Sequence, residues 1–378
     1  MSVLVSRPPA PRLARIANRR MAAARLTRDA LEALISAGVL LVAVLASAVV
    51  QGYPLVVLEL VLVYAVALLS LTVLTGYVGQ ISLCQASLMG VGAYLVGALM
   101  GHYGLSYWVA APLSIALVFC AGIVIGLPAL RLKGLTLAIV TLSLALLADY
   151  FLFADVSWLN NNSLGWRITP PTLLGHALDN STGGGAALLY RVLLAATALA
   201  ILAVARLRRG RTGKSWFAMR DAEIAASTSG VPIVSMKLLG FGIASALAAL
   251  AGALYILAVG SVSPDPFNFA KSILLLAIAG IAGTRSLPGA VIGAAAYIGL
   301  PAVLQQFPNL APLTPLIFGA GLIAQVLFAP QGIGGVLDAT ETRFFRVLAG
   351  VRRPATLAAE AAAAGVTGEP QEDDDGVV

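Results

Sequence analysis

The sequence predicts an all-α polytopic membrane protein with about ten, or eight to ten, transmembrane helices. Of its 378 residues, 59% are hydrophobic and only 11% are charged, whereas soluble domains carry about 25% charged residues. Apolar runs of about 20 residues recur along the chain, and that length spans a bilayer core. Backbone groups in lipid must be hydrogen-bonded internally, and the runs are too long for barrel strands, so the spans are predicted to be helices.

Ten apolar runs give the predicted spans. The run at 271–284 is short for a span, so it tilts, thins the bilayer locally or forms a half-helix. A re-entrant 271–284 would move the C-terminus to the other side of the membrane. In order, the predicted spans are 31–50, 55–75, 84–101, 107–128, 135–154, 187–206, 233–258, 271–284, 286–306 and 312–329.

Basic residues beside the spans predict the orientation of the chain. Residues 1–29 hold seven arginines, and a second basic cluster lies at 206–220, six predicted crossings later. The link at 131–133 is also basic, whereas 155–186 contains a single arginine. Lys and Arg are enriched in cytoplasmic loops, so both termini are predicted to be cytoplasmic and 84–101 is predicted to be a true crossing.

The two ends of the chain are predicted to be tails around a transmembrane domain at 30–337. Residues 1–29 form a basic cytoplasmic tail. An Arg-rich organellar transit peptide is the alternative, but an apolar span follows directly and no small-residue cleavage signal lies nearby. Residues 338–378 form a largely disordered cytoplasmic tail, because their alanine run and acidic end lack apolar anchors.

The polar segment 207–231 is the longest one that this topology places inside between spans. Asp221 and Glu223 stand close to a predicted helix start, where carboxylates interact favourably with the helix dipole. Gly230 is predicted to end that helix, as glycine often does after a C-terminal cap. The segment therefore predicts a short helix under the membrane.

Two interpretations of this helix stay open. Ala225, Ala226 and Ser227 give it a surface with little bulk, so a soluble partner could dock closely against it. The alternative is an ordinary interfacial helix that covers the underside of the bundle.

The stretch GYVGQISLCQASLMGVGAY, residues 76–94, carries glycines and polar side chains where a span would carry leucine. Gly79 permits close helix approach or a broken helix, and Gln80, Ser82 and Gln85 offer hydrogen bonds at membrane depth. Irregular backbone is tolerated there only when it is buried in protein or lines a cavity. Small and polar residues also join spans to one another without contacting a solute, so both roles stay open.

A short internal repeat is suggested by two segments. Residues 76–83 and 280–287 share the pattern Gly-x-x-Gly-x-x-Ser-Leu, and both precede helices rich in glycine and alanine. Transporters are often built from such repeats.

Few groups in the sequence could carry chemistry other than transport. Glu59 and Asp149 are ionisable residues inside predicted spans, which makes them functional candidates, and both are expected to be partly wet. No run of buried acids indicates a proton relay. The two cysteines and two histidines form no catalytic or metal-binding set, and the tripeptide at 213–215 lacks the glycines of a phosphate loop. Neither a bound cofactor nor nucleic-acid binding is predicted.

Several segments together carry a likeness to one family. The most specific is GKSWFAMRDAEIAASTSGV at 213–231. The others are 76–94, LRLKGLTLAIVTLSLALL at 130–147, KLLGFGIASALAALAGALY at 237–255, SILLLAIAGIAGTRSLPGAVIGA at 272–294 and LFAPQGIGGVL at 327–337. The chain resembles LivM-type permease subunits of ABC importers for branched-chain amino acids.

This resemblance implies a transport subunit of a bacterial cytoplasmic (inner) membrane importer. Its implied partners are a homologous second permease subunit, two ABC ATPase subunits that use ATP, an external solute-binding protein and membrane lipid. The residues implied to couple to the ATPase are Arg220, Asp221, Glu223, Ala225, Ala226 and Gly230. Those implied to line the translocation path are Gly79, Gln80, Ser82, Cys84 and Gln85.

The chain also departs from the family pattern at two places. Cys84-Gln85 stands where the family commonly carries Gly-His, and 279–286 differs from its Gly-Gly-x-Gly-Ser pattern. Both places bear on the path, so permeases for urea, amides, or aromatic and other carboxylates, which the same family includes, are alternatives. A self-contained secondary carrier or channel is the rival class.

Overall fold

Six helices in the described part of the chain are long and apolar enough to cross a membrane. The computed structural model describes residues 50, 52–132, 134–161, 164–173, 175–180, 183–305, 307, 316 and 319–320. The candidate spans are Tyr53–Val78, Tyr107–Ala129, Leu135–Leu152, Gly185–Arg209, Ile233–Val259 and Leu287–Leu304.

The described residues form a helical bundle with four very short strands. The helices are α1 Tyr53–Leu71, α2 Gln85–Tyr103, α3 Tyr107–Ala129, α4 Leu135–Leu147, α5 Ser157–Asn160, α6 Gly183–Arg209, α7 Arg211–Asp221, α8 Glu223–Thr228, α9 Ile233–Val259, α10 Phe269–Ala282, α11 Leu287–Ala294 and α12 Leu300–Leu304. The strands are β1 Trp166–Arg167, β2 Thr172–Leu173, β3 His176–Ala177 and β4 Ser261–Val262. π-helical turns occupy Thr72–Val78, Ala148–Leu152 and Ala295–Gly299, and a 3₁₀ turn covers Asp265–Phe267.

The six candidate spans correspond to six of the ten predicted runs. The predicted span 84–101 forms α2, a helix of 19 residues that is not among the six. The short run 271–284 forms α10, which has 14 residues. Predicted spans 31–50 and 312–329 lie, apart from isolated positions, outside the described residues. The total of eight to ten transmembrane helices therefore stays a prediction.

Three closely packed helices form the centre of the bundle. In the most apolar 18-residue stretch of each span, 67% of the residues are buried for the span that begins with α1, and 78% are buried for α9. Glycines let α2 and α9 approach each other, because Gly92 faces the backbone of Ala249 and Gly252 faces the carbonyl of Met89. Small residues allow such close helix packing in membranes. By contrast α3 and α4 expose apolar side chains such as Val124 and Ile139, which suits contact with lipid.

The two ends of α9 define two ends of the bundle, about 40 Å apart for a helix of this length. At its start lie α7, α8 and the last turn of α6, which carries Arg206, Arg208 and Arg209; we call this the basic end. At its finish β4 pairs antiparallel with β1, and β2 pairs antiparallel with β3; we call this the hairpin end. Trp166 of β1 packs there against Gly97 and Gly101 of α2.

The first described span does not turn directly into α2. Its π-helical turn ends at Gly79, whose φ of 78° lies in the left-handed region that suits glycine. Residues 79–84 are not helical, and α2 begins at Gln85. The Gln85 side chain lies beside Ser70, two helical turns before the end of the span, or about 12 Å. The non-helical segment therefore leads from the basic end back into the bundle.

Candidate functional site

The predicted polar segment forms two short helices, α7 and α8, that are anchored to the bundle. Trp216 of α7 is fully buried, and its Nε1–H donates to the backbone oxygen of Met236 at 2.8 Å. Met219, on the same face of α7, is also buried. Buried aromatic and apolar anchors of this kind fix a helix at the basic end instead of leaving it loosely on the surface.

Arg220 connects α7 to the end of the first described span. Its guanidinium donates a hydrogen bond to the backbone oxygen of Gly76, and its stem packs against Gly79. A side chain at Gly79 would collide with that stem. Burial, together with nearby Arg285, lowers the pKa of Arg220 from its ordinary value, whereas Asp221 acts in the opposite direction. The connection joins the polar segment to the broken stretch at 79–84.

An ion pair fastens α8 to α9. Lys237 is buried, and its Nζ lies 2.8 Å from Oε1 of Glu223, the first residue of α8. A buried charge is costly without a partner, so Glu223 holds the start of α8 to the start of α9. Asp221 ends α7 instead of starting a helix, and its Oδ1 lies 3.8 Å from Nη2 of exposed Arg285. Exposed pairs of this kind add little stability.

The outer surface of α8 differs from the surface expected at the sequence level. Ala226 is buried against the bundle, whereas Ala225 is exposed and Ile224 is 82% exposed. Gly230 ends the helical region as predicted, with a φ of 84° and hydrogen bonds from its N–H and that of Val231 back into α8. The face turned away from the bundle is therefore centred on Ile224 and Ala225.

The non-helical residues 79–84 and the start of α2 carry the predicted path residues. Gly79 is exposed, Gln80 is half-buried, and Ser82, Cys84 and Gln85 are buried. The Gln80 N–H donates to Leu74 O at 3.0 Å. Ser82 Oγ lies 3.3 Å from Cys84 Sγ, and Gln85 Oε1 lies 3.3 Å from Ser70 Oγ. The structure thus places all five along one short segment.

The two similar Gly-x-x-Gly-x-x-Ser-Leu segments meet in space. Gly76 of the first packs directly against the backbone of Thr284 in the second. Gly79 and Gly283 each follow a helix end and each have a positive φ, 78° and 97°. The likeness between the two segments is visible in the sequence, but their contact is not, because no sequence pattern pairs positions 76 and 284.

Three residues that sequence reasoning did not single out complete the site. Thr141 of α4 accepts a hydrogen bond from the Leu83 N–H at 3.0 Å and so holds the broken segment against α4. Lys237 and Thr284 are the others. A lysine at the start of an apolar run, shortly after Asp221 and Glu223, is a signal that could have identified Lys237.

Comparison with known proteins gives this site its context. Residues 53–326 match the family model described as branched-chain amino acid transport system / permease component. The chain belongs to this permease family. It is 29% identical to the high-affinity branched-chain amino acid transport system permease protein LivM of Salmonella typhimurium, over 72% of this chain and 68% of that protein. It is 28% identical to the LivM protein of Escherichia coli, with the same coverage. No solved structure matches the chain significantly.

Membership in the permease family confirms the resemblance seen in the sequence. The chain is a permease subunit of an ABC importer, and the family consists of transport components, not enzymes. Its apolar helices agree with a multi-pass protein of the inner membrane.

The two acidic residues predicted to lie inside spans, Glu59 and Asp149, each accept a hydrogen bond in the structure. Glu59 is fully buried, which contradicts the expectation that it is partly wet, and its Oε2 accepts a hydrogen bond from the Asn180 side chain at 3.0 Å. Asp149 is half-buried, and its Oδ2 accepts from the N–H of Phe269 at 3.4 Å, which caps the start of α10.

Proposed function

We propose that this permease subunit carries a branched-chain amino acid, or a closely related small solute, across the inner membrane into the cell. It does so with a homologous second permease, two ABC ATPases that hydrolyse ATP, and an external solute-binding protein. The names of the two similar LivM proteins support the solute class. The observation that carries the mechanism is the Arg220 contact with Gly76 and Gly79, because Gly79 begins the broken stretch that holds the path residues.

The exposed face of α8 is the surface that meets an ATPase in this proposal. Ile224 is a large apolar side chain left almost fully in solvent on a helix that is otherwise anchored, and exposed apolar groups of this kind often mark a protein contact. Ala225 and Gly230 beside it allow a partner to approach closely.

Two connections would pass a movement of α8 into the bundle. The Glu223–Lys237 pair leads to α9. Arg220 leads through α7 to Gly76, which rests on Thr284 between α10 and α11. A ligand-driven change requires different contacts in two states. ATPase closure would supply that difference at α8, and the segment 79–84 would change its position between the helices.

The positive-inside rule supports the orientation in this proposal. The basic end carries the cluster at 206–220, so it faces the cytoplasm where the ATPases are. The hairpin end faces outward and would meet the solute-binding protein.

A substitution at Ile224 tests the ATPase contact. Ile224→Asp keeps an exposed position exposed, so folding is unaffected, but it places a charge in the proposed interface. We expect about a thirtyfold weaker hold on the ATPase subunits and a matching loss of them on copurification in mild detergent, since an interface anchor is worth about 2 kcal/mol. Leu164→Asp is the matched control, because Leu164 is 84% exposed at the hairpin end.

Two outcomes would contradict the proposal. Equal ATPase recovery with Ile224→Asp and wild type would remove α8 from the interface. A wild-type complex that contains no ATPase at all would favour a self-contained carrier.

A further inference from the structure

The start of α2 has free hydrogen-bond donors inside the bundle. Cys84 precedes the helix and makes no side-chain cap, and the first backbone bond returning to the turn runs from Leu88 N to Cys84 O at 2.9 Å. Within the described residues, no acceptor faces the N–H groups of Gln85, Ala86 and Ser87. Such groups, together with the helix dipole, favour an anion at a helix N-terminus.

Two buried side chains in the same turn also lack a partner. Gln85 and Ser87 are each only 2% exposed, yet the Nε2 of Gln85 and the Oγ of Ser87 have no hydrogen-bond partner among the described residues. Gln85 is the first residue of α2 and Ser87 is the third, and helical Cα–Cβ bonds tilt toward the N-terminus, so both polar groups belong to the turn that carries the free N–H groups. Buried polar groups are nearly always paired, and an exception requires an explanation.

A second helix that starts inside the bundle does not share this property. At α10 the Asn268 Oδ1 accepts from the Lys271 N–H at 3.0 Å, and the carboxylate of Asp149 accepts from the Phe269 N–H. The protein therefore supplies its own carboxylate at the start of α10. At the start of α2, no carboxylate of the described residues accepts from the free N–H groups.

The broken segment provides an approach to the start of α2. Gly79 and Ile81 are exposed at the basic end, whereas Ser82 and Cys84, closer to α2, are buried. We propose that the N-terminus of α2 binds the carboxylate of the solute during its passage, through the N–H groups of residues 85–87, the Gln85 amide and the Ser87 hydroxyl. This assignment rests on the proposed function and deepens it, because it selects solutes with a carboxylate over urea and neutral amides.

Ser87→Ala tests the assignment in the complete transporter reconstituted in proteoliposomes with its binding protein. A hydrogen bond to a charged group changes an equilibrium about tenfold, so we expect ATP-driven L-leucine uptake at saturating binding protein to fall about tenfold. ATP hydrolysis stimulated by the binding protein should stay within twofold, because Ser87 does not contact α7 or α8 in this proposal. Ser87→Thr keeps the hydroxyl and should restore uptake.

Ser245→Ala is the matched control. Ser245 is also buried with an unpartnered Oγ, but that Oγ faces Gly122 of α3 and not α2. Its loss should leave uptake unchanged. Normal uptake with Ser87→Ala, or an equal fall with Ser245→Ala, would overturn the assignment.

Gln85→Glu provides a charge-specific second test. An acidic side chain is favourable at a helix N-terminus but occupies the donors that the solute carboxylate needs, so we expect L-leucine uptake to be lost while the complex still assembles. Uptake at the wild-type level in this variant would also overturn the assignment. A wild-type complex that carries urea or acetamide but not L-leucine would refute the carboxylate site and leave the importer function standing. A complex with no ATP-dependent uptake of any of these solutes would refute the proposed function itself.

Discussion

Arg220 is the residue through which α7 contacts the broken segment. Its guanidinium bonds to the Gly76 carbonyl while its stem fills the space left by Gly79. A single arginine thus contacts a backbone oxygen and a glycine with a positive φ, both near the end of the same span. A shift of α7 would therefore change the Arg220 contacts with both Gly76 and Gly79.

Arg220→Ala should uncouple transport from ATP hydrolysis. The variant removes a charge-assisted hydrogen bond worth about 1.5–3 kcal/mol, so we expect solute carried per ATP hydrolysed to fall by at least about tenfold. Uptake and phosphate release, measured together in proteoliposomes, check this. Arg285→Ala is the control, because the Arg285 side chain is exposed and its partner Asp221 lies 3.8 Å away. A similar loss for both variants would point to general charge at the basic end and not to the Gly76 contact.

Single residues were predicted best where local chemistry decides their role. Gly230 was expected to end a helix, and its backbone has the left-handed φ that glycine adopts readily. Glu59 was expected near water, but it is buried. The prediction was wrong because the partner of Glu59, Asn180, lies 121 residues away in the sequence. Arg220 and the Gly76 carbonyl that it contacts are likewise far apart in the sequence, by 144 positions. Partners brought together only by the packing of helices leave no local signal.

At the scale of elements, α2 owes its position to glycines. A Cβ at Gly252 of α9 would overlap the Met89 carbonyl of α2, and one at Gly92 would overlap Ala249. The two helices are therefore in contact along their backbones. Packing this close leaves no room for a methyl group.

Gly252→Ala should destabilise the bundle by about 1–3 kcal/mol, the usual cost of overpacking. Gly299→Ala is the matched control, since Gly299 is also helical and its added Cβ would meet nothing within 4 Å. Thermal unfolding of the purified complex in detergent measures both variants. Equal melting temperatures for the two would show that α2 and α9 can separate without loss.

The prediction of elements succeeded where a run is apolar throughout. Span 107–128, for example, was expected within one residue of α3. The start of α2 was expected at residue 84, one residue from its observed start. For the glycine-rich polar stretch before it, a broken helix and a continuous packed one both stayed open. Thr141, whose hydroxyl receives the Leu83 N–H, decides between them and lies 58 residues away.

At the scale of the whole molecule, the basic end and the hairpin end should face opposite compartments. Ser227→Cys and Ser263→Cys place exposed thiols at the basic and hairpin ends respectively, in a chain whose Cys84 and Cys120 are replaced by serine. In intact cells a membrane-impermeant maleimide should label position 263 and not position 227. Labelling of 227 alone would reverse the orientation inferred from the arginine distribution.

The fold class could be predicted from composition and the apolar runs, since a soluble domain cannot bury so many runs of about 20 apolar residues. Family membership depended on the order of several motifs, above all residues 213–231. Neither the composition nor the order of the motifs could show that the two similar glycine segments meet at Gly76 and Thr284. That contact depends on the positions of four helix ends at once.

The pairing of β1 with β4 has a consequence for biosynthesis. Arg167 pairs with Ser261, so β1 leaves the ribosome on the order of 100 residues before its partner, at a synthesis rate of about 5–20 residues per second. The hairpin end must therefore wait several seconds, until α9 has been inserted. During that interval the polar backbone of β1 lacks its partner strand, so a chain stalled or truncated before residue 261 would present a recognisable unfinished surface to membrane proteases.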